Sequence, residues 1–198
     1  MRGGALPEDL VIQHCSPTLA GLKTASLFSC DCPSLVEVKE QVRRLNRILV
    51  PKGLSALLLR CVGNGRALIY LYRPDRLEQD LSDERATDIL EQMGYSCTNC
   101  TGCLVELVKR VRSKPEFPHE IGLFLGYPPE DVAGFIRHKG KCCKCVGCWK
   151  VYGDAEQAQR RFDQYQRCTR TYYDFWCKGI SLSRLAVPVR IGNERVVK

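Results

Sequence analysis

The sequence contains no long apolar run. None of its segments approaches the roughly 18 consecutive apolar residues that a membrane-spanning helix requires. Residues 1–15 also lack an apolar stretch as long as the core of a secretory signal peptide. These two absences predict a protein without membrane spans that works in the cytoplasm.

The sequence also lacks the short motifs of several large enzyme classes. It has no P-loop, no glycine-rich dinucleotide fingerprint, no G-x-S-x-G nucleophile elbow and no H-E-x-x-H zinc motif. The glycines of Gly63-Asn64-Gly65 fit a tight hairpin turn better than a phosphate-binding loop. The sequence therefore indicates no particular reaction.

Nucleic acid is not an expected partner, although the chain is basic. The formal net charge is +8, and Lys178 to Lys198 hold five basic residues against one acidic residue, Glu194. A basic tail is solvated in most proteins, and no recognised nucleic-acid-binding motif accompanies the charge. We interpret residues 179–198 as a basic, disordered C-terminal arm.

Capping signals and apolar periodicity predict a single helix-rich α+β domain over residues 8–178. Asp154 is expected to cap the longest helix, which continues to about Trp176. Two nearly continuous apolar runs near residues 55–72 predict a hairpin that helices cover. A further strand is expected near residues 149–152, and the sheet is predicted to be small and antiparallel.

Cysteine is abundant in this chain. An exported protein with many cysteines would use them in disulfides, but the count of 13 is odd and no export signal is visible. Reduced thiols, metal ligands or a redox role are therefore favoured. A strongly reducing, anaerobic cell would tolerate this many free thiols.

Two cysteine clusters form a candidate metal site. They consist of Cys97, Cys100 and Cys103 in the first cluster and Cys142, Cys145 and Cys148 in the second, where Cys143 also lies. The first cluster has the spacing of three ligands of a bacterial ferredoxin run, but the fourth ligand of that run is missing. The second cluster could supply it. Alternatively, one C-x-x-C pair from each cluster would bind zinc. The clusters thus predict an iron–sulfur cluster or a zinc ion.

A second candidate site is a reactive thiol at Cys15. Ser16 and Pro17 predict a helix that runs from about Pro17 to Phe28, with Ser16 as its N-cap. Cys15 would then lie at a helix N-terminus. The exposed amides and the helix dipole at such a position favour the thiolate.

A histidine with a carboxylate would complete this thiol site. His14 is the sequence neighbour of Cys15, but adjacent side chains rarely point the same way. His119 is the better partner, because it lies in the first turn of another predicted helix with Glu120 beside it. Together Cys15, His119 and Glu120 have the residue types of an activated nucleophile, its base and an orienting group.

Four segments of the chain resemble an uncharacterised family of clostridial and other anaerobic bacterial proteins. They are HCSPTLAGLK at 14–23, LIYLYRP at 68–74, FPHEIGLFLGYPPEDVAGFI at 117–136 and WKVYGD at 149–154. The resemblance covers about residues 8–178, and the family carries only a domain-of-unknown-function label. The resemblance implies a shared role near His14, Cys15, His119 and Glu120, whereas the two cysteine clusters depart from the family pattern.

These observations support three hypotheses of different classes. The leading one is a cytosolic, cysteine-rich protein that binds a metal or iron–sulfur centre and has a redox or metal-handling role. Its expected partner is a redox protein. The first alternative is a thiol-dependent enzyme that uses Cys15. The second is a non-catalytic module that binds a ligand or a protein through a pocket or an apolar patch.

Overall fold

Helices surround a small antiparallel sheet in the computed structural model, which describes residues 8–62, 65–96, 99–113 and 116–188. The helices are α1 (Glu8–Leu19), α2 (Leu35–Leu49), α3 (Pro74–Leu81), α4 (Glu84–Gln92), α5 (Cys100–Ser113), α6 (Ile121–Phe124), α7 (Pro129–His138), α8 (Ala155–Cys177) and α9 (Leu182–Leu185). None of these helices of the described chain is both long enough and apolar enough to cross a bilayer.

The sheet has three antiparallel strands in the order β1-β3-β2. The strands are β1 (Ala25–Asp31), β2 (Ser55–Val62) and β3 (Arg66–Tyr72). Tyr72 at the end of β3 pairs with Ala25 on one side and with Ser55 on the other. The predicted α+β class and the hairpin near residues 55–72 are confirmed. The predicted turn at residues 63–64 lies outside the described residues.

Helices cover both faces of the sheet because its central strand is apolar on both faces. Ala67, Ile69 and Leu71 of β3 pack with α1, α2 and α9. The alternate side chains Leu68, Tyr70 and Tyr72 pack with α3 to α7. Since successive side chains of a strand point to opposite faces, one continuous apolar run supplies both layers of the core.

The segment after Cys15 differs from the prediction. The predicted helix from Pro17 to Phe28 is wrong, because α1 ends two residues after Pro17 and β1 follows. The Ser16 hydroxyl donates to the Ile12 carbonyl one turn earlier instead of capping a new helix. Cys15 therefore lies inside a helix rather than at its N-terminus.

The predicted strand near residues 149–152 belongs to a separate two-stranded ribbon rather than to the central sheet. This ribbon consists of β4 (Cys145–Val146) and β5 (Lys150–Val151). The helix α8 packs on the ribbon through Phe162 and Tyr165 and lies along α1. As predicted, Asp154 caps α8, and its carboxylate accepts a hydrogen bond of 3.0 Å from the Gln157 amide.

The last described residues contribute to the core. Leu182, Leu185 and Ala186 are buried beside α1 and α2. The Val187 amide donates to the Leu19 carbonyl at 3.0 Å. Part of the predicted C-terminal arm, residues 179–188, therefore packs on the domain, and residues 189–198 lie outside the described residues.

Candidate functional site

Cys15 is buried inside α1 and carries a protonated thiol. None of its surface is exposed, and it packs among core residues such as Val11 and Leu19. Burial raises the pKa of Cys15 to about 12, and the opposing effects of Lys23 and of a hydrogen bond with Ser26 are smaller. Because the thiolate is the nucleophile, we do not propose Cys15 as a catalytic residue.

The other residues of the predicted thiol site lie in separate surroundings. His14 is exposed and stacks on an aromatic ring of β1, with ring centroids 6.1 Å apart. His119 is exposed and meets an aromatic ring of α7 edge-on at 5.0 Å. Glu120 is buried and accepts hydrogen bonds from the Tyr95 hydroxyl and Arg110. Within the described residues, no hydrogen bond, ion pair or ring contact joins these groups to the Cys15 thiol.

We expect the stability of the protein to fall above about pH 9 partly because of Cys15. The folded pKa of about 12 exceeds the ordinary value of 9.0, so the thiol stabilises the fold at lower pH. This contribution is lost as pH rises from about 9 to about 12, at about 1.4 kcal/mol per pH unit. Denaturant unfolding across this range should give a shallower pH dependence for Cys15→Ala than for the wild type. The exposed Cys177 offers the matched control, Cys177→Ala, which should keep the wild-type slope.

The two cysteine clusters face different parts of the molecule. Cys97 lies outside the described residues, and Cys103 is buried and disulfide-bonded. Cys100 and Cys103 line a cavity beside α3 and α4, whereas Cys148 lines another cavity beside α1 and α8. In the described ranges, no three His, Cys, Asp or Glu side chains form a group that could hold a metal ion. Metal binding by the clusters stays a prediction that a metal assay of protein purified without oxygen decides.

A different residue, Lys23, lines the cavity beside α1 and α8. The amides of Leu22 and Lys23 both donate to the Pro17 carbonyl, at 2.8 and 3.1 Å, and hold Lys23 just beyond the end of α1. The cavity has a volume of about 620 Å³, and His14 and Cys148 also line it. One face of α8 closes it with side chains at helical spacing. These are Tyr165, Gln166, Thr169, Arg170 and Tyr173.

The charged groups of this cavity are basic. Lys23 and Arg170 line it, and the described residues contribute no Asp or Glu to its wall. The Lys23 ammonium lies 5.2 Å from the centroid of the Tyr127 ring, and it makes no hydrogen bond or ion pair within the described residues. Burial lowers the pKa of Lys23, and the sulfurs of Cys148 and Cys15 oppose this shift less strongly. A lysine removed from water is ordinarily paired with an anionic or hydrogen-bonding group. A ligand in the cavity could therefore be the partner of the Lys23 ammonium.

Tyr127, whose ring lies beside the Lys23 ammonium, lines a second, apolar cavity of about 290 Å³. Its ring stacks on Trp149 with centroids 4.8 Å apart, and its hydroxyl donates to the Cys148 carbonyl at 3.2 Å. His119 lies on the wall of the second cavity. Three of the segments that carry the family resemblance, at 14–23, 117–136 and 149–154, therefore meet around Tyr127.

Asp131 joins two of these segments. Its buried carboxylate accepts hydrogen bonds from the Trp149 indole at 2.6 Å and from the amides of Tyr152 and Gly153 at 2.7 Å each. Gly134 permits the close packing of α7 against Tyr152, because a Cβ atom at position 134 would come within 2.4 Å of the Tyr152 ring. The segments are thus coupled by packing as well as by hydrogen bonds.

Sequence reasoning missed Lys23, although a signal for it was present. Lys23 is the only Lys, Arg, Asp or Glu between Asp9 and Asp31. A single charge in a stretch that is otherwise apolar or neutral has no nearby partner along the chain. Such a residue is a candidate for a desolvated functional group.

Comparisons with known proteins agree with the resemblance. No curated protein and no solved structure matches the chain. The model of one family, described as "Protein of unknown function (DUF3793)", matches residues 11–186. This match covers all the segments that meet around Tyr127, and the chain therefore belongs to the DUF3793 family of proteins of unknown function.

Proposed function

We propose that this protein is a ligand-binding module whose Lys23 cavity takes a small organic anion. The observation that carries the proposal is a half-buried ammonium that has no hydrogen-bond or ion-pair partner among the described residues and lines a cavity to which those residues contribute basic groups and no carboxylate. An anion in this cavity would give Lys23 the partner that the described residues do not supply. The ammonium and the Arg170 guanidinium would bind carboxylate or phosphate oxygens.

The remaining wall of the cavity suits an organic ligand better than a bare inorganic ion. Tyr165 and Tyr173 supply aromatic surface, while Gln166 and Thr169 supply neutral hydrogen-bonding groups. Binding pockets of this kind combine apolar surface with a few polar groups that orient the ligand. The volume of about 620 Å³ lies within the range of small-molecule sites.

We expect a small organic anion to raise the melting temperature through Lys23. A ligand present at about 100 times its dissociation constant stabilises a protein by about 2.7 kcal/mol, which is about 5–10 °C for a chain of this size. Thermal unfolding should be measured with a panel of mono- and dicarboxylates and phosphomonoesters at constant ionic strength. The Lys23→Met variant should lose the shift that the best anion produces in the wild type.

A matched control separates this effect from general charge screening. Lys39 is exposed on α2, away from the cavity, so Lys39→Met removes the same charge without changing the site. This control should respond to the anion like the wild type. The proposal is wrong if no anion of the panel shifts the wild type, or if Lys23→Met responds as strongly as Lys39→Met.

A further inference from the structure

We propose that Cys32 and Cys61 form a redox-active dithiol that exchanges with disulfides. Their sulfur atoms lie 3.2 Å apart, although the residues are 29 positions apart in the chain. Among the free cysteines of the described chain, no other pair has its sulfurs in contact. This pair lies apart from both sequence clusters and from the Lys23 cavity, so it does not depend on the proposed anion binding.

The backbone holds the two sulfurs together at one end of the sheet. Cys61 lies on β2, and Cys32 immediately follows β1, so the pair spans the central strand β3. The Cys32 amide donates to the Gly65 carbonyl at 2.6 Å. Arg66 also binds Asp31 at 3.4 Å and the Ser29 hydroxyl at 2.7 Å, which fixes the end of β1. The sulfurs lie about 1 Å farther apart than the disulfide length of about 2.05 Å, and closing the bond also requires the two Cα atoms to lie within about 7 Å of each other.

The two thiols differ in their access to solvent. Cys61 is exposed, whereas Cys32 is half-buried. An external disulfide therefore reaches Cys61 first. The nearby Cys30 is buried in the core and is not available for the same exchange. This division gives Cys61 the role of the attacking thiol and Cys32 the role of the resolving thiol.

The exchange takes place in two steps. The Cys61 thiolate attacks one sulfur of a disulfide RSSR, forms a mixed disulfide and releases the first RS⁻. The Cys32 thiolate then attacks the Cys61 sulfur, closes the Cys32–Cys61 bond and releases the second RS⁻. The protein loses two electrons and two protons in total, and RSSR is reduced to two molecules of RSH. The reverse reaction returns the dithiol.

Oxidised glutathione is a suitable probe for this reaction in the full-length, reduced protein. Samples incubated without oxygen would be quenched with an alkylating reagent and mapped by mass spectrometry of peptides. In the wild type we expect the Cys32–Cys61 disulfide to accumulate and Cys61 to carry no lasting glutathione. In Cys32→Ser, glutathione on Cys61 should persist about 100-fold longer, because the intramolecular resolving step is absent.

Cys177, exposed at the end of α8, serves as the internal control in every sample. It should retain glutathione equally in the wild type and in Cys32→Ser. The proposal is overturned if glutathione persists on Cys61 in the wild type as it does in Cys32→Ser. It is also overturned if Cys32 and Cys61 stay reduced while Cys177 becomes modified.

Discussion

Replacing Arg73 by methionine is expected to lower the free energy of unfolding by about 3–5 kcal/mol. Only 2% of this residue is exposed, and its guanidinium donates to three backbone carbonyls. The acceptors are Thr18 at 2.8 Å, Leu19 at 2.8 Å and Val187 at 2.7 Å. Methionine fills similar space but leaves all three carbonyls without this donor. Two of them belong to the last turn of α1, where a cation also interacts favourably with the helix dipole.

The same substitution should disturb the Lys23 cavity. The Arg73 amide donates to the Thr24 carbonyl at 3.0 Å, while its guanidinium binds the end of α1. Both ends of the loop that carries Lys23 are therefore attached to one residue. We expect Arg73→Met to lower the free energy of unfolding and also to abolish the stabilisation by anions. A destabilising substitution in the core far from the Lys23 loop would lower only the free energy of unfolding.

Two further variants make the Arg73 prediction specific. Arg73→Lys keeps the charge but not the planar fork of donors, so it should retain only part of the stability. Arg47→Met removes an arginine whose side chain is 73% exposed on α2, and it should change the free energy of unfolding by less than about 0.5 kcal/mol. Equal stability of Arg73→Lys and the wild type in denaturant unfolding would contradict the assigned role of the guanidinium fork.

The parts of the fold that the sequence predicted are those with strong local signals. The long helix α8 has a capping aspartate and a long apolar face, and β2 and β3 are adjacent apolar runs separated by a short glycine-containing stretch of sequence. The error at α1 and β1 has a local cause as well. Ser16 and Pro17 have the residue types of a helix start, but the buried Ser16 bonds back to its own helix and Pro17 lies in the last turn of that helix. The pairing of β1 with β3 then depends on contacts between residues 35 to 47 positions apart in the chain, which periodicity does not report.

The candidate site was harder to predict than the fold. The segments that meet around Tyr127 all contain distinctive sequence motifs, but the cysteine and histidine residues of these motifs indicate thiol or metal chemistry rather than a lysine site. Lys23 is distinguished by burial and by the absence of a partner in the described structure, and both properties depend on the packing of α8 against α1. The contact between Cys32 and Cys61 likewise depends on the strand order, because the two residues lie on opposite sides of β3.

Glu120 is expected to stabilise the fold rather than to take part in catalysis. Replacing its partner Arg110 should lower the free energy of unfolding more than replacing Glu120 itself. Arg110 donates to Glu120 at 3.3 Å, to Glu106 at 2.9 Å and to the carbonyls of Met93 and Gly94 at 2.7 and 2.9 Å. Removing Arg110 would leave the Glu120 carboxylate, which is 2% exposed, without a cation partner among the described residues. Breaking a buried ion pair from one side costs about 3–5 kcal/mol, so Arg110→Met should lose about this much stability.

A double-mutant cycle distinguishes this ion pair from a general packing effect. Glu120→Gln keeps an acceptor for the Tyr95 hydroxyl, which donates to Glu120 at 3.2 Å, and removes the buried charge. The double variant Arg110→Met/Glu120→Gln should therefore be more stable than Arg110→Met alone, by about 1–3 kcal/mol in denaturant unfolding. Lys109→Met, at a side chain 71% exposed on the same helix, should behave like the wild type. If the two substitutions prove additive, the carboxylate is not held by Arg110, and Glu120 becomes available again for the role beside His119 that its sequence position first indicated.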